Sequence, residues 1–204
     1  MKKIMFNDRY GLTDAVIEGR KTMTRRIELS ASEQKKVIPG GFEVTSRSLK
    51  VRKNGQLIMS VPFRYKVGEV VAVAQSYEQA GIQSWAYLSR PEIDGYQIIS
   101  THKGWRNKMY VSADLMPHQI RITGIRCERL QDISDDDCFR EGISESWYES
   151  TDTTTYGFAD EKKGTAVEFD TPRQAFAALI DKVSGRGTWK SNPWVVVYEF
   201  ELVK

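Results

Sequence analysis

The run Gly19-Arg20-Lys21-Thr22-Met23-Thr24-Arg25-Arg26 gathers the side chains best suited to chemistry. Four of its eight residues are cationic and two carry hydroxyls. It follows a helix end expected at Gly19, so the backbone turns sharply there. Lys21 and Thr24 converge if the segment forms one helical turn. A desolvated lysine near other cations has a lowered pKa and can take a proton from a hydroxyl. Arg26 suits a phosphate, a carboxylate or a developing oxyanion. Taken alone, such a run is more often a solvated basic loop that binds nothing in particular.

Other candidates are weaker. Glu141 precedes Gly142 at the end of a short acidic helix, and nothing local distinguishes it from its neighbouring carboxylates. Trp85 and Trp189 sit in Gly- or Ser-rich surroundings and could stack on a base, although packing is the usual role of tryptophan. Trp194, after Asn192-Pro193, reads as core. His102 and His118 lack Cys, His or carboxylate partners at ligand spacing, so neither a metal nor a cofactor is expected. The chain holds no P-loop, GxGxxG or Ser-His-Asp order.

Charge gives a partial pointer to partners. Residues 1–70 carry 15 Lys/Arg against 7 Asp/Glu, whereas residues 127–170 carry 4 against 13. A basic first third can face phosphate even though the net charge is only +3. The two regions could equally pair with each other, or serve contacts with another protein. With 204 residues, 40% of them hydrophobic, one real core forms without metal or disulfide. The two cysteines, Cys127 and Cys138, make no CxxC. No apolar run reaches membrane-span length, and Asn7-Asp8-Arg9 interrupts the N-terminal segment before a signal peptide could form. A cytoplasmic setting is expected.

The elements that must position these residues follow from local signals. Thr13 is expected to cap a helix over 14–18, stopped by Gly19. Residues 42–61 read as a hairpin turning at Asn54-Gly55. Strands are expected over 67–74, 108–112, 118–129 and 194–203, with Gly124 as a bulge site. Ser134 caps a short helix whose first turn is Asp135-Asp136-Asp137 and which Gly142 ends. Thr171-Pro172-Arg173-Gln174 opens a helix over 172–184 with Phe176, Leu179, Ile180 and Val183 on its apolar face. Residues 79–107 and 144–168 read as irregular excursions. Strands and helices do not alternate regularly, so the class is α+β, with a small mixed or antiparallel barrel flanked by helices as the geometric expectation.

Several of these pieces, taken in order, resemble the ASCH domains of the PUA-like superfamily. Gly19-x-Lys21-Thr22-x-Thr24-x-Arg26 is similar to the family signature. Gly68-Glu69-Val70-Val71-Ala72-Val73, Asp132-Ile133-Ser134, Glu141-Gly142-Ile143 and Asn192-Pro193-Trp194-Val195 resemble its companion motifs in phage and bacterial members. The resemblance spans nearly the whole chain as a single domain, with expansions at about 30–66, 79–107 and 144–168. It implies a PUA-like β-barrel and, as the leading expectation, recognition of RNA or a modified nucleoside or nucleotide in a basic cleft, with hydrolysis as the alternative. One small bacterial branch hydrolyses the amide of N4-acetylcytidine. Carried over, its set falls on Thr24 as nucleophile, Lys21 as its base or activator and Glu141 as proton carrier or orienter of Lys21, with Arg26 at the oxyanion. Thr22, Arg25, Arg26, Trp85 and Trp189 become ligand-binding candidates. Another branch is ribonuclease-like. On this reading Lys21 is an exposed or functional cation, and Lys21→Ala is expected to leave folding nearly unchanged.

Overall fold

The computed structural model describes residues 1–37, 41–90 and 95–203. Its strands, in chain order, are β1 (Lys3–Ile4), β2 (Met23–Arg26), β3 (Phe42–Val44), β4 (Ser48–Lys53), β5 (Gln56–Pro62), β6 (Val70–Val73), β7 (Tyr87–Arg90), β8 (Gly95–Ile98), β9 (Gln119–Arg129), β10 (Ser144–Tyr148), β11 (Thr153–Asp160), β12 (Thr165–Phe169) and β13 (Trp194–Leu202). Its helices are α1 (Leu12–Ile17), α2 (Ala31–Gln34), α3 (Asp135–Arg140), α4 (Pro172–Ser184) and α5 (Thr188–Ser191). The class is mixed α+β. Among the described residues the sheets are open, and none closes into the expected barrel. No described helix is long and apolar enough to cross a membrane.

The chain divides into two compact units. The first comprises Met1–Phe6, Val70–Ile120 and Leu202–Lys204; the second comprises Asn7–Glu69 and Arg121–Glu201. The expansion expected at 79–107 falls in the first unit, and those at 30–66 and 144–168 fall in the second. Residues 38–40 and 91–94 of these expansions lie outside the described residues.

In the first unit, β1 runs parallel to β6 and pairs Ile4 with Val73. Ala72, Ala74, Tyr77, Ile99, Val111 and Met116 form its buried core. The segment read as irregular holds an antiparallel hairpin, β7–β8, followed by a series of 3-10 turns. One turn, Lys108–Tyr110, replaces the strand expected over 108–112. The Asn107 side chain accepts from Met109 N at 3.0 Å and closes that turn locally. Lys3 Nζ then donates to the carbonyls of Met109 and Val111 at 2.8 and 2.7 Å, giving this backbone partners that a sheet would have supplied.

In the second unit, β13 lies between β9 and β2. It pairs antiparallel with β2, placing Tyr198 opposite Thr24 and Glu199 opposite Met23. The hairpin expected at 42–61 is present as β4–β5, with β3 added to its edge. Asn54 and Gly55 have φ of 52° and 79°, as a two-residue type I′ turn requires. Residues 144–168 are not irregular: β10, β11 and β12 form a regular antiparallel meander. The run Thr153-Thr154-Thr155-Tyr156 reads as polar, yet β-branched and aromatic residues suit a strand. At Gly124 a Cβ would lie 3.1 Å from Glu199 Oε2, so the glycine leaves room for that carboxylate.

Two local expectations are corrected. Gly11, not Thr13, occupies the cap position of α1. Thr13 lies inside the helix and donates to Asp8 Oδ1. On α4, Phe176, Leu179 and Ile180 are buried, but Val183 is 40% exposed because it lies in the last turn, past the packed stretch. The remaining signals of α4 hold: Thr171 Oγ1 accepts from Gln174 N at 3.2 Å, and Pro172 opens the helix.

Asp160, at the end of β11, is fully enclosed and takes a two-pronged contact from Arg9 at 3.0 and 3.2 Å. Hydrogen bonding from Arg9 holds its carboxyl below the usual range. Such a group contributes stability above its unfolded pKa, and loses it as pH falls through the folded one. Asp160→Asn is therefore expected to lower the melting temperature at pH 7. The difference from the parent protein should shrink as pH drops below about 4. Melting curves between pH 3 and 7 check this; a difference constant with pH would remove the ion pair as its cause.

Candidate functional site

The site lies in the second unit, where the end of α1 meets the end of α3. Gly19, at φ 75°, stops α1, and its N–H bonds to the Val16 carbonyl at 3.0 Å. The chain then folds back, and Lys21 N bonds to Ala15 O at 2.8 Å. That return directs the Lys21 side chain inward. Ser134 Oγ caps α3 by accepting from Asp137 N at 3.2 Å. At its other end, Glu141 is the cap residue and Gly142 leaves at φ 103°.

A short helix leaves its last carbonyls without intrahelical partners, and a cation is favoured there. Lys21 Nζ donates to the Glu141 carbonyl at 2.7 Å, and Thr22 N to the Arg140 carbonyl at 2.9 Å. Lys21 Nζ also donates to Glu141 Oε2 at 2.6 Å. Both side chains are enclosed: 2% of Lys21 and 6% of Glu141 remain exposed. A Cβ on residue 142 would lie 3.2 Å from Leu12 Cδ2 and 3.6 Å from Lys21 Cδ, so the glycine serves close packing as well as its positive φ. Burial lowers the Lys21 pKa; Glu141 opposes this, while Arg26 and Arg25 add to it. The expectation that Lys21 can be removed without cost to folding is thus overturned by its burial and its two charge-assisted bonds.

Arg25 is the hub of what surrounds this pair. Its side chain is fully buried. Nε and Nη2 donate to Glu128 Oε1 at 2.9 and 2.7 Å, and Nη2 also reaches Asp137 Oδ2 at 2.7 Å. Nη1 donates to Glu141 Oε1 at 3.1 Å and to Met23 Sδ at 3.2 Å. Its donors are all directed at protein partners, so the ligand contact expected of Arg25 is replaced by a role inside the protein. Arg126 bridges Glu128, Asp137 and Glu199. Arg140 lies 3.6 Å from Asp137 and 3.7 Å from Glu199. Lys21, Arg25, Arg126 and Arg140 thus face Glu128, Asp137, Glu141 and Glu199, and the formal charges cancel.

The remaining expected site residues are dispersed around this network. Strand alternation sets Thr24 and Arg26 on the face of β2 opposite Met23 and Arg25. Thr24 is buried and pairs across the ladder with Tyr198. The Tyr198 hydroxyl donates to Glu28 Oε2 at 2.7 Å and accepts from Arg64 N at 3.1 Å. Burial, reinforced by Glu28, pushes the Tyr198 phenol well above its ordinary value. Arg26 is half-buried. Thr22 Oγ1 accepts from Arg140 Nε at 3.3 Å. Trp189 is half-buried, 6.2 Å from Phe176 edge-on and 5.2 Å from the Arg173 guanidinium, which fits packing more than an open stacking surface. Trp85 belongs to the first unit and is 70% exposed.

Sequence reasoning missed Arg126, Glu128, Asp137 and Glu199. A signal existed for three of them. Arg126 and Glu128 share one face of a strand whose earlier residues, Ile120 and Ile122, are apolar, and Glu199 is a carboxylate set between Tyr198 and Phe200 in the apolar run of β13. Cys127 and Cys138 are both free and buried, and burial pushes each thiol up to about 12, so neither is poised to react. No protein-family model, curated protein or solved structure is similar enough to the chain to count as a match.

Proposed function

We propose that the chain is an ASCH-type domain of PUA-like ancestry that takes a modified nucleoside beside the Lys21–Glu141 pair and hydrolyses the amide of an N4-acylated cytidine. One observation carries the reading: the two side chains stand 2.6 Å apart although 120 residues separate them. The carry-over from the family needs that meeting, and no local pattern in the sequence brings it about. Charge cancellation around the pair supports a neutral nucleoside over a phosphate chain, since little positive potential is left for phosphates. Recognition of a nucleoside is common to both functional expectations drawn from the sequence; the buried lysine is what favours chemistry as well.

Thr24 Oγ bonds to the acyl carbon as its proton passes to the neutral amine of Lys21. The tetrahedral intermediate breaks its C–N bond, and Lys21 returns that proton to the exocyclic nitrogen of cytosine. Water, giving a proton to the same amine, cleaves the acyl ester on Thr24; the carboxylic acid leaves and the hydroxyl is restored. Glu141 orients Lys21, and Arg26 faces the oxyanion.

The test follows cytidine release from N4-acetylcytidine. Thr24→Val is expected to abolish release without unfolding the chain, which a melting curve of the variant checks. The rate is expected to rise with pH through one ionisation below 10.5, the ordinary lysine value. Glu141→Gln is expected to retain slow release and move that ionisation lower, because the carboxylate holds the proton on Lys21. No release, or release indifferent to Thr24→Val, overturns the hydrolase. Salt-sensitive RNA binding in its place would mark a recognition module.

A further inference from the structure

The first unit contains a cavity of about 640 Å³, lined by residues of the 77–112 segment. None of them belongs to the Lys21–Glu141 site. Tyr77 is buried, 1% exposed, with His102, Lys103, Gln97 and Tyr110 also in the wall. The volume lies within the usual range for a small-molecule site.

Three of the polar groups in the wall are donors, beside the mixed donor–acceptor side chains of Ser89, Gln97 and Thr101. Tyr77 Oη accepts from Ser112 N at 2.9 Å, and its own proton has no acceptor among the described residues. His102 Nδ1 accepts from Gly104 N at 2.9 Å, which leaves the ring proton on Nε2. Lys103 Nζ stands 5.6 Å from the centroid of the Tyr110 ring, which is 52% exposed. Among the described residues the lining contains no carboxylate. A buried hydroxyl proton, an imidazole N–H and an ammonium are all donors, and they lie beside an open aromatic face.

Two features hold the cavity in shape. A Cβ at Gly104 would lie 2.6 Å from the Tyr77 ring, so glycine there lets the turn close on Tyr77. Leu88 and Gln97 are cross-strand partners on β7 and β8 and share the face of that hairpin that closes the wall. Tyr87 and Tyr96 belong to the other face and are 68% and 76% exposed.

We infer that this cavity binds a nucleotide: a planar ring bearing acceptor atoms, carrying a phosphate. The ring lies on Tyr110, its acceptors meet the Tyr77 and His102 protons, and the phosphate meets Lys103. The inference does not rest on hydrolysis at Lys21. A free nucleotide and one residue of a single strand share this chemistry.

Calorimetric titration of the full chain with cytidine, adenosine, guanosine and uridine 5′-monophosphates, a uridine tetranucleotide and inorganic phosphate tests it. At least one monophosphate is expected to bind in the micromolar range. Lys103→Gln, an exposed substitution, should weaken binding at least tenfold and reduce its salt dependence. Tyr77→Phe should weaken it similarly, and Thr24→Val should leave it unchanged. A tetranucleotide binding more than tenfold tighter than any monophosphate identifies a strand as the source, and equal affinity identifies the free nucleotide. Four results would each overturn the assignment: no binding at millimolar nucleotide, inorganic phosphate binding as tightly, affinity indifferent to Lys103→Gln, or affinity lost with Thr24→Val.

Discussion

Lys21→Met is expected to lower the melting temperature by roughly 6–12 °C, the shift that about 3 kcal/mol produces in a chain of this size. Methionine keeps the length of the stem, so the loss isolates the ammonium. That ammonium makes two bonds to one residue, the carboxylate and the carbonyl of Glu141. Removing it leaves a buried carboxylate short of a partner and a helix-end carbonyl uncapped. The penalty stays near the lower end for a broken buried pair because Arg25 Nη1 still reaches Glu141 Oε1 at 3.1 Å. A cycle of Lys21→Met, Glu141→Gln and the double variant should return a coupling of at least about 1 kcal/mol. Thermal melts followed by circular dichroism measure all four proteins. A drop under about 2 °C would place Lys21 in solvent, where exposed pairs contribute little.

This cost bears on how the site is tested. A lysine that is both buried and chemically active cannot be probed by deletion alone, since lost activity would follow from lost structure. Thr24 separates the two. Neither of the two bonds that join Lys21 to Glu141 involves Thr24, so its replacement leaves that contact in place.

The parts of this molecule that were legible in the sequence are those fixed within a few residues. Asn54-Gly55 dictates its turn, Ser134 and Thr171 accept from the backbone N–H three residues on, and Pro172 opens α4. Each needs no knowledge of distant chain. Thr13 misled because a threonine before an apolar run looks like a cap, whereas Gly11 takes the left-handed φ that starts α1 and Asp8 satisfies the Thr13 hydroxyl. The strand expected at 108–112 failed for a similar reason: the Asn107 side chain and the distant Lys3 ammonium supply bonds that no pattern of apolar residues encodes. The meander of β10–β12 was hidden by polar β-branched residues, which periodicity in hydrophobicity does not register. For the site, the residues alone marked the basic run but offered no reason to prefer Glu141 over its neighbours. Only the resemblance paired it with Lys21. The role of Arg25 was illegible because its carboxylate partners lie more than 100 positions further along the chain.

The largest loss of stability is expected at that residue. Arg25→Met removes a side chain that touches Glu128, Asp137 and Glu141 together and that also lies 5.9 Å from the Phe176 ring on α4. Three carboxylates are then left close together with Arg126, Arg140 and Lys21 as their remaining counterions. Breaking a buried network in this way costs about 4–5 kcal/mol, or roughly 8–20 °C in melting temperature. Arg25→Lys is expected to recover less than roughly half of it, because one ammonium cannot span the positions that a planar guanidinium bonds at once. The pH dependence identifies the cause. Like charges brought together without their cation have raised pKa values in the folded state, so protonation relieves the folded form more than the unfolded one. The deficit of Arg25→Met relative to the parent protein should therefore be largest at pH 7 and shrink as pH falls towards about 4. Melting curves across that range decide it. A deficit that persists unchanged at low pH would assign the loss to the packing of the Arg25 stem against Phe176, and the carboxylates would then be bystanders to the stability of the site.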